Sequence, residues 1–239
     1  MELLPVKPFP AFIARWQLWQ RQPEPLAILG GGAAGVELAL AMARQVPALA
    51  LFSAAPLLAG HPPALRERAL RHLQAAGVRV REHCAIERIC GDTLIAAGQP
   101  VWRGRRLIVA TGASPLPWLR EAGLACDGKG FIAIAPTLHS LSHPQIFATG
   151  DCASLPDTPR NGVYAVRQGP VLAGNLAHAL NGKALAAYRP QRHALALLAD
   201  GQGGALLSWA GLTAEGALLG RWKDWLDRRF MRRHGAPER

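Results

Sequence analysis

Lysine is scarce in this 239-residue chain: only four of its 27 basic side chains are lysine, and the rest are arginine. The formal net charge of +11 would suit a polyanionic partner. No recognition module and no aromatic-interleaved basic stripe accompanies it, so the charge reads as a compositional bias toward Arg and Ala, and nucleic acid is not expected as a partner. The four cysteines, Cys84, Cys90, Cys126 and Cys152, form no CxxC pair and no metal-ligand cluster with the histidines, which argues against a zinc site and a disulfide framework. No stretch approaches the ~18 uninterrupted apolar residues of a spanning helix, and the start, Met1 to Pro8, lacks the basic-then-apolar pattern of a signal peptide. The expectation is a cytoplasmic globular protein. Half of its residues are hydrophobic, enough to bury the core of one large or two modest domains.

Against these absences stand two glycine turns 120 positions apart, Gly30-Gly31-Gly32-Ala33-Ala34-Gly35-Val36-Glu37 and Ala148-Thr149-Gly150-Asp151-Cys152-Ala153. The first follows the apolar run 25–29 and opens a helix predicted over 36–46, the context that a dinucleotide-binding βαβ unit requires. In such a turn Gly30 allows the tight bend, Gly32 lets backbone N–H groups approach a diphosphate, and Gly35 permits close helix packing. A glycine-rich turn with no ligand is the plain alternative. At the end of the second strand, where an acid would bind a ribose 2′-hydroxyl, stands Ser53, and no arginine follows closely to hold a 2′-phosphate.

The order of elements predicts an α/β chain. A short amphipathic helix over 9–21 presents Phe9, Phe12, Ile13, Trp16 and Trp19, and strands are expected at 26–29, 48–52 and 78–80 with a helix over 66–76. Short apolar runs from Ile86 to Trp102 predict an antiparallel meander, followed by a core strand at 106–110 that stops at Thr111-Gly112. Beyond it come a weak hairpin at 128–134, a strand at 145–148 feeding the second turn, and a helix over 163–180 kinked or broken by Pro170. A hairpin of 193–199 with 205–209 precedes a final helix from Ala217.

The order GGGxxGVE, TGxxP and a strand ending in ATGDCA resembles the pyridine nucleotide-disulfide oxidoreductases, and the likeness covers most of the chain. It implies a Rossmann-like three-layer NAD(P)H-binding domain at 25–115 after a helix and linker at 1–24. A remnant of an FAD-binding domain at 116–190 and a hairpin with a basic amphipathic helix at 191–239 would follow. It also implies that Gly30 to Gly35, including Gly31, Ala33 and Ala34, with Ser53, Thr111 and Gly112, hold the nicotinamide cofactor, and that Glu37 lies near its nicotinamide end. Gly150, Asp151, Cys152 and Ala165 would touch FAD. The activity implied is hydride transfer from NAD(P)H to FAD, a half-reaction that needs no acid or base side chain, so His61, His83, His139, His143 and His193 stay unassigned. Within the family, residues 150–173 and the ending Arg221 to Met231 are similar to the flavoprotein module fused to selenophosphate synthetase. Type II NADH dehydrogenases are also near, but where they carry two glutamines beside the flavin this chain has Val163 and Arg167, with Gln168 one step away.

The family's FAD domain opens with its own GxGxxG turn, and none precedes Gly30. Without contacts to roughly 20 ligand atoms at about 0.3 kcal/mol each, about 6 kcal/mol or four powers of ten in affinity would go. FAD is therefore expected to bind weakly or not at all while the nicotinamide site persists, unless a separately encoded chain supplies the missing half. The redox cysteine pair of the disulfide reductases belongs to that same segment, so Cys84 and Cys90 are expected to be ordinary semi-buried thiols and no nucleophile is assigned. A non-catalytic nucleotide-binding module is the competing reading. The last 19 residues hold seven Lys or Arg against three acids. There Leu218, Leu219, Trp222, Trp225, Leu226 and Phe230 share a helical face that would suit either docking on the core or a membrane surface.

Overall fold

The computed structural model describes residues 1–235. The chain divides into two units, one made of residues 1–112 together with those from 195 onward, the other of residues 113–194.

In chain order the first unit begins β1 (Glu2–Pro5), α1 (Phe9–Gln20), β2 (Leu26–Leu29), α2 (Ala33–Met42), β3 (Leu49–Phe52), α3 (Pro63–Ala75) and β4 (Arg79–Arg81). It continues with β5 (Arg88–Cys90), β6 (Thr93–Ala96), β7 (Gln99–Arg103) and β8 (Arg106–Val109). Five of these strands form one parallel sheet in the order β1-β8-β2-β3-β4. The central strands read Leu-Ala-Ile-Leu, Leu-Ala-Leu-Phe and Arg-Leu-Ile-Val, near-continuous apolar runs because a parallel sheet is covered on both faces. On one face Leu26, Ile28, Leu51 and Ile108 meet Phe12, Trp16 and Trp19 of α1 and the apolar sides of α2 and α3. On the other, Ala27, Ala50, Phe52 and Leu107 are covered by Leu94 and Trp102 of the β5-β6-β7 antiparallel meander. Fully burying each such large apolar side chain contributes about 1.5–3 kcal/mol, and three layers result.

The order of the sheet has a functional consequence. The chain moves outward from β2 to β3 and β4, then returns through the meander to β8 on the other flank of β2. The turn after β2 thus stands where the strand order reverses, at the carboxyl edge where open α/β sheets hold their ligands.

The second unit carries α4 (Trp118–Glu121), β9 (Ile132–Ala133), a 3-10 turn at Gly150–Cys152, β10 (Ala153–Ser154) and α5 (Gly162–Leu180). Its core gathers Leu119, Leu124, Ile132, Ile134, Leu138, Ala148 and Tyr188. From residue 195 the chain rejoins the first unit with β11 (Ala196–Ala199), β12 (Ala205–Trp209), β13 (Leu212–Gly216) and α6 (Ala217–His234). β11, β12 and β13 form an antiparallel sheet whose Leu198 and Leu206 enter the same core as the parallel strands.

Several expectations are corrected. The stretch before α1 is a strand at the edge of the parallel sheet, held by β8 through Glu2 to Arg106 and Pro5 to Val109 register. Helix α2 starts at Ala33, three residues earlier than predicted, because Gly32 already has an extended N-cap conformation. Residues 145–148 make no strand, only a bridge of Phe147 with His139, flanked by the Ser140 N–H to Ile146 carbonyl and Ala148 N–H to Leu138 carbonyl bonds and closed by a tight turn at His143. α5 runs through Pro170 without ending. An interior proline costs about 3 kcal/mol; here the helix is secured by the Asn161 side chain capping Val163 and Tyr164 and by buried Tyr164, Gln168 and Asn175. The hairpin of the tail gains a third strand, β13. Cys90 is exposed, while Cys84, Cys126 and Cys152 are half-buried.

Candidate functional site

The first glycine turn is built by close packing. Gly30 adopts φ +125°, a conformation in which side-chain residues are strained, and a Cβ there would overlap the Ala110 carbonyl at the end of β8. Its N–H donates to the Phe52 carbonyl at 2.9 Å, tying the turn to β3. A Cβ on Gly31 would overlap the Ser53 hydroxyl, and one on Gly35 would overlap the Gly30 carbonyl oxygen. Three glycines are thus demanded by the protein's own atoms.

Gly32 is different. Its φ of −76° and ψ of −179° are open to any residue, and nothing lies within 4 Å of the position a Cβ would take. The fold does not require glycine there; a ligand approaching the backbone would. Gly32 is the N-cap of α2, no side chain caps that helix end, and its first turn, which starts at Ala33 and Ala34, holds no acid. Among the described residues, no capping side chain or first-turn acid meets the partial positive charge of this helix N-terminus.

A cavity of about 380 Å³ opens over this edge, lined by Gly30, Gly31 and Gly32, by Ser53, Ala54, Ala55, Pro56 and Ala59 after β3, by Cys84, Ala85 and Ile86 after β4, and by Thr111 after β8. The structure therefore brings together Gly30, Gly31, Gly32, Ser53 and Thr111. Gly112, at φ +94°, follows as the chain leaves the unit. The loop after β3 is pinned by two bonds, Leu58 N–H to the Gly31 carbonyl at 2.7 Å and Leu57 N–H to Glu82 Oε1 at 2.6 Å. Glu82 also accepts from Arg66 Nε at 2.7 Å, and that guanidinium holds the Glu82 carboxyl below the usual carboxylate range. Nothing in the sequence pattern pointed to Glu82. His61 lies close by in sequence, its imidazole pushed down by burial.

Glu37 is committed elsewhere. Its Oε1 accepts the Ala199 N–H of β11 at 2.9 Å and lies 3.6 Å from Lys223 Nζ of α6. The helix that starts at the glycine turn is thereby fastened to the end of the chain.

In the second unit, Gly150 sits at φ +69° and opens the 3-10 turn, with Ala165 of α5 close against it. Its N–H is taken by Gln168 Oε1 at 2.9 Å. Gln168 is buried, and reading by position alone had left it as a neighbour of the expected site. Cys152 Sγ turns back to the Thr149 carbonyl at 3.3 Å, and Asp151 is half-buried. The cavity beside the turn, lined by Gly150, Arg160, Asn161, Tyr164, Ala165 and Gln168 among others, measures about 10 Å³, room for about one water. Among the described residues no group of three or more His, Cys, Asp or Glu could hold a metal ion, and no helix is long and apolar enough to cross a membrane.

Comparison with known proteins bears on the family of the chain. The family model described as pyridine nucleotide-disulphide oxidoreductase matches residues 11–169, a span that includes both glycine turns. The mercuric reductase of Acidithiobacillus ferrooxidans is 32% identical over 140 residues, covering 56% of this chain and 25% of that protein. The NADH dehydrogenase-like protein YutJ of Bacillus subtilis is 28% identical over 201 residues, covering 82% of this chain and 55% of that one. Among solved structures, reduced CoADR-RHD of Bacillus anthracis shares the fold with a TM-score of 0.71 at 19% identity, over 93% of this chain and 40% of that one. A FAD-dependent pyridine nucleotide-disulphide oxidoreductase from Desulfovibrio vulgaris does so with a TM-score of 0.66 at 24% identity, over 87% and 54%. The chain thus spans from a quarter to about half the length of these relatives. With the family model covering both turns and four of the five strands of the parallel sheet, the chain belongs to the pyridine nucleotide-disulphide oxidoreductase family.

Proposed function

We propose that the first unit binds NADH or NADPH with the diphosphate on the N-terminus of α2, and that the chain serves as the coenzyme-binding portion of an NAD(P)H-dependent FAD oxidoreductase. The observation that carries this reading is Gly32. Glycine there answers to no atom of the protein and leaves an uncapped helix end facing a cavity large enough for part of a dinucleotide. The bound nicotinamide would supply a hydride, and FAD would accept it. The chain's own part is to bind and orient. Gly30, Gly31 and Gly35 set the backbone so that the amides from Gly32 onward meet the diphosphate; Thr111 closes the β8 side; and the loop held by Glu82 forms the far wall.

For FAD, the resemblance assigns the turn at Gly150 and Asp151. The engagement of the Gly150 amide by Gln168 supports weak FAD binding by the second unit alone, with the nicotinamide coenzyme the ligand held more tightly by this polypeptide.

Substituting Gly32→Asp tests the assignment. Asp is a better N-cap than glycine by only roughly a few tenths of a kcal/mol, and here its carboxylate would also occupy the anion position. The expected result is an unchanged or raised melting temperature together with loss of NADH and NADPH binding by calorimetry. Retained affinity in a folded Gly32→Asp protein would refute the site.

A second reading, contact with a membrane surface, is favoured by α6. Leu219 and Leu226 are half-buried where the helix packs on β11 to β13, whereas Leu218, Trp222, Trp225, Phe230 and Met231 are exposed. The predicted single apolar face is therefore split between the core and solvent. Arg221, Arg228, Arg229, Arg232 and Arg233 accompany the exposed part, with Arg229 over the Trp225 ring at 5.2 Å; Glu238 and Arg239, counted in the basic cluster, lie outside the described residues. Such a pattern suits the headgroup region of anionic lipid. Co-sedimentation with anionic vesicles, lost in Trp222→Ser/Trp225→Ser, is the expected result; protein left in the supernatant at low salt removes this reading.

A further inference from the structure

The coenzyme cavity also bears on which dinucleotide it takes, an inference that rests on the reading above. In a βαβ site the adenosine ribose lies beyond the end of the second strand, and the side chains there discriminate between a 2′-hydroxyl and a 2′-phosphate. An acid binds the hydroxyl and repels the phosphate; an arginine does the opposite. Here the second strand is β3 and the position is Ser53.

Ser53 is fixed from both sides. Its N–H donates to the Arg81 carbonyl at 2.9 Å and its own carbonyl accepts from Cys84 N–H at 2.8 Å. Its hydroxyl lies against Gly31 so closely that a Cβ on residue 31 would overlap it. The wall beyond consists of Ala54, Ala55, Pro56 and Ala59, facing Cys84 and Ala85, and among the described residues no charged side chain lines the cavity. Glu82, the acid that braces this wall, has its carboxylate engaged by Arg66 on both oxygens and by the Leu57 N–H. Its charge is matched by the Arg66 guanidinium, and it serves the loop rather than the cavity.

We infer that this site does not discriminate between NADH and NADPH, because the 2′ position of the ribose meets a serine hydroxyl and alanine side chains and no charge of either sign. A hydroxyl can donate to a phosphate oxygen or accept from a ribose hydroxyl, so it excludes neither coenzyme. Long-range attraction from the net charge of +11 favours the more anionic coenzyme only at low salt, and at about 0.15 M it is largely screened beyond about 8 Å.

The test is a pair of titrations of NADH and NADPH by calorimetry at ~0.15 M salt, on the parent protein and on two variants at the exposed Ala54, where a longer side chain disturbs no packing. In the parent the two dissociation constants should agree within about fivefold. Ala54→Asp should weaken NADPH at least about tenfold relative to NADH, and Ala54→Arg should shift the ratio at least about tenfold the other way. A larger bias in the parent overturns the inference, as does an unchanged ratio in both variants, since residue 54 would then not border the 2′ position. If neither coenzyme binds at millimolar concentration, the dinucleotide assignment itself fails and the inference falls with it. If both bind with a strong preference, only the inference fails.

Discussion

Glu37 and Ala199 stand 162 positions apart in the chain, and the backbone N–H of Ala199 donates to the Glu37 carboxylate at 2.9 Å. The bond joins the helix of the glycine turn to the first strand of the C-terminal sheet. Replacing Glu37 with Ala strands that N–H in a part-buried position, which costs about 1–3 kcal/mol. Lys223→Met removes the ion pairs to Glu37 at 3.6 Å and to Asp227 at 3.1 Å, each worth less than about 1 kcal/mol. Urea denaturation should rank Glu37→Ala well below Lys223→Met, with Glu37→Gln close to the parent because the amide oxygen still accepts. Equal midpoints for the first two would show that the bond contributes nothing.

Gly35 and Gly32 answer to different demands. A methyl at 35 would run into the Gly30 carbonyl, backbone that cannot swing aside, so Gly35→Ala should cost about 1–3 kcal/mol or more as α2 is pushed off the sheet. Gly32→Ala meets open space and should cost less than about 1 kcal/mol, the loss of a tolerable N-cap. Thermal melts of the two variants, run side by side, check the order. A Gly32→Ala protein that melts lower than Gly35→Ala contradicts the packing described here.

Acid should loosen the loop that walls the cavity. Arg66 holds the Glu82 carboxyl below the ordinary carboxylate range, so the stabilisation from this pair is fully present above that range and disappears as the pH falls through the lowered value. Between about pH 6 and pH 3 the parent should therefore lose melting temperature more steeply than Glu82→Gln, which starts lower at neutral pH and has no proton to gain. Parallel curves for the two proteins would dissociate Glu82 from the acid response.

Gln168 should matter to the second glycine turn more than its position suggests. Gln168→Leu keeps the volume but leaves the Gly150 N–H without its acceptor, a loss of about 1–3 kcal/mol that proteolysis of the second unit would report as faster cleavage around residues 149–153. Cleavage at the parental rate would mean that the turn is held by other contacts.

Much of the site was legible because its physics is local. The strands that carry it are uninterrupted apolar runs, the turn after β2 needs glycine at positions where φ is positive or backbones touch, and Ser53 follows its strand directly. β1 and β13 were not legible. Glu-Leu-Leu-Pro and Leu-Thr-Ala-Glu-Gly have no strand pattern of their own, and each becomes a strand only because β8 or β12 offers a free edge. Pro170 does not end α5 for the converse reason: its local cost is real, yet partners distant in sequence hold the helix on either side of it, the Gly150 N–H on Gln168 and the Thr137 and Ala186 carbonyls on Asn175.

Sequence alone therefore determined the family, the parallel sheet and the two glycine turns, since each depends on residues within a few positions of one another. Tertiary structure decided which atoms those turns are left with. It assigned Glu37 to Ala199 and Lys223, gave the Gly150 amide to Gln168, and set Glu82 to brace the loop that walls the cavity. Such pairings follow from where the chain returns after long excursions, and a carboxylate or an amide can satisfy whichever partner arrives; no short-range pattern records which one does.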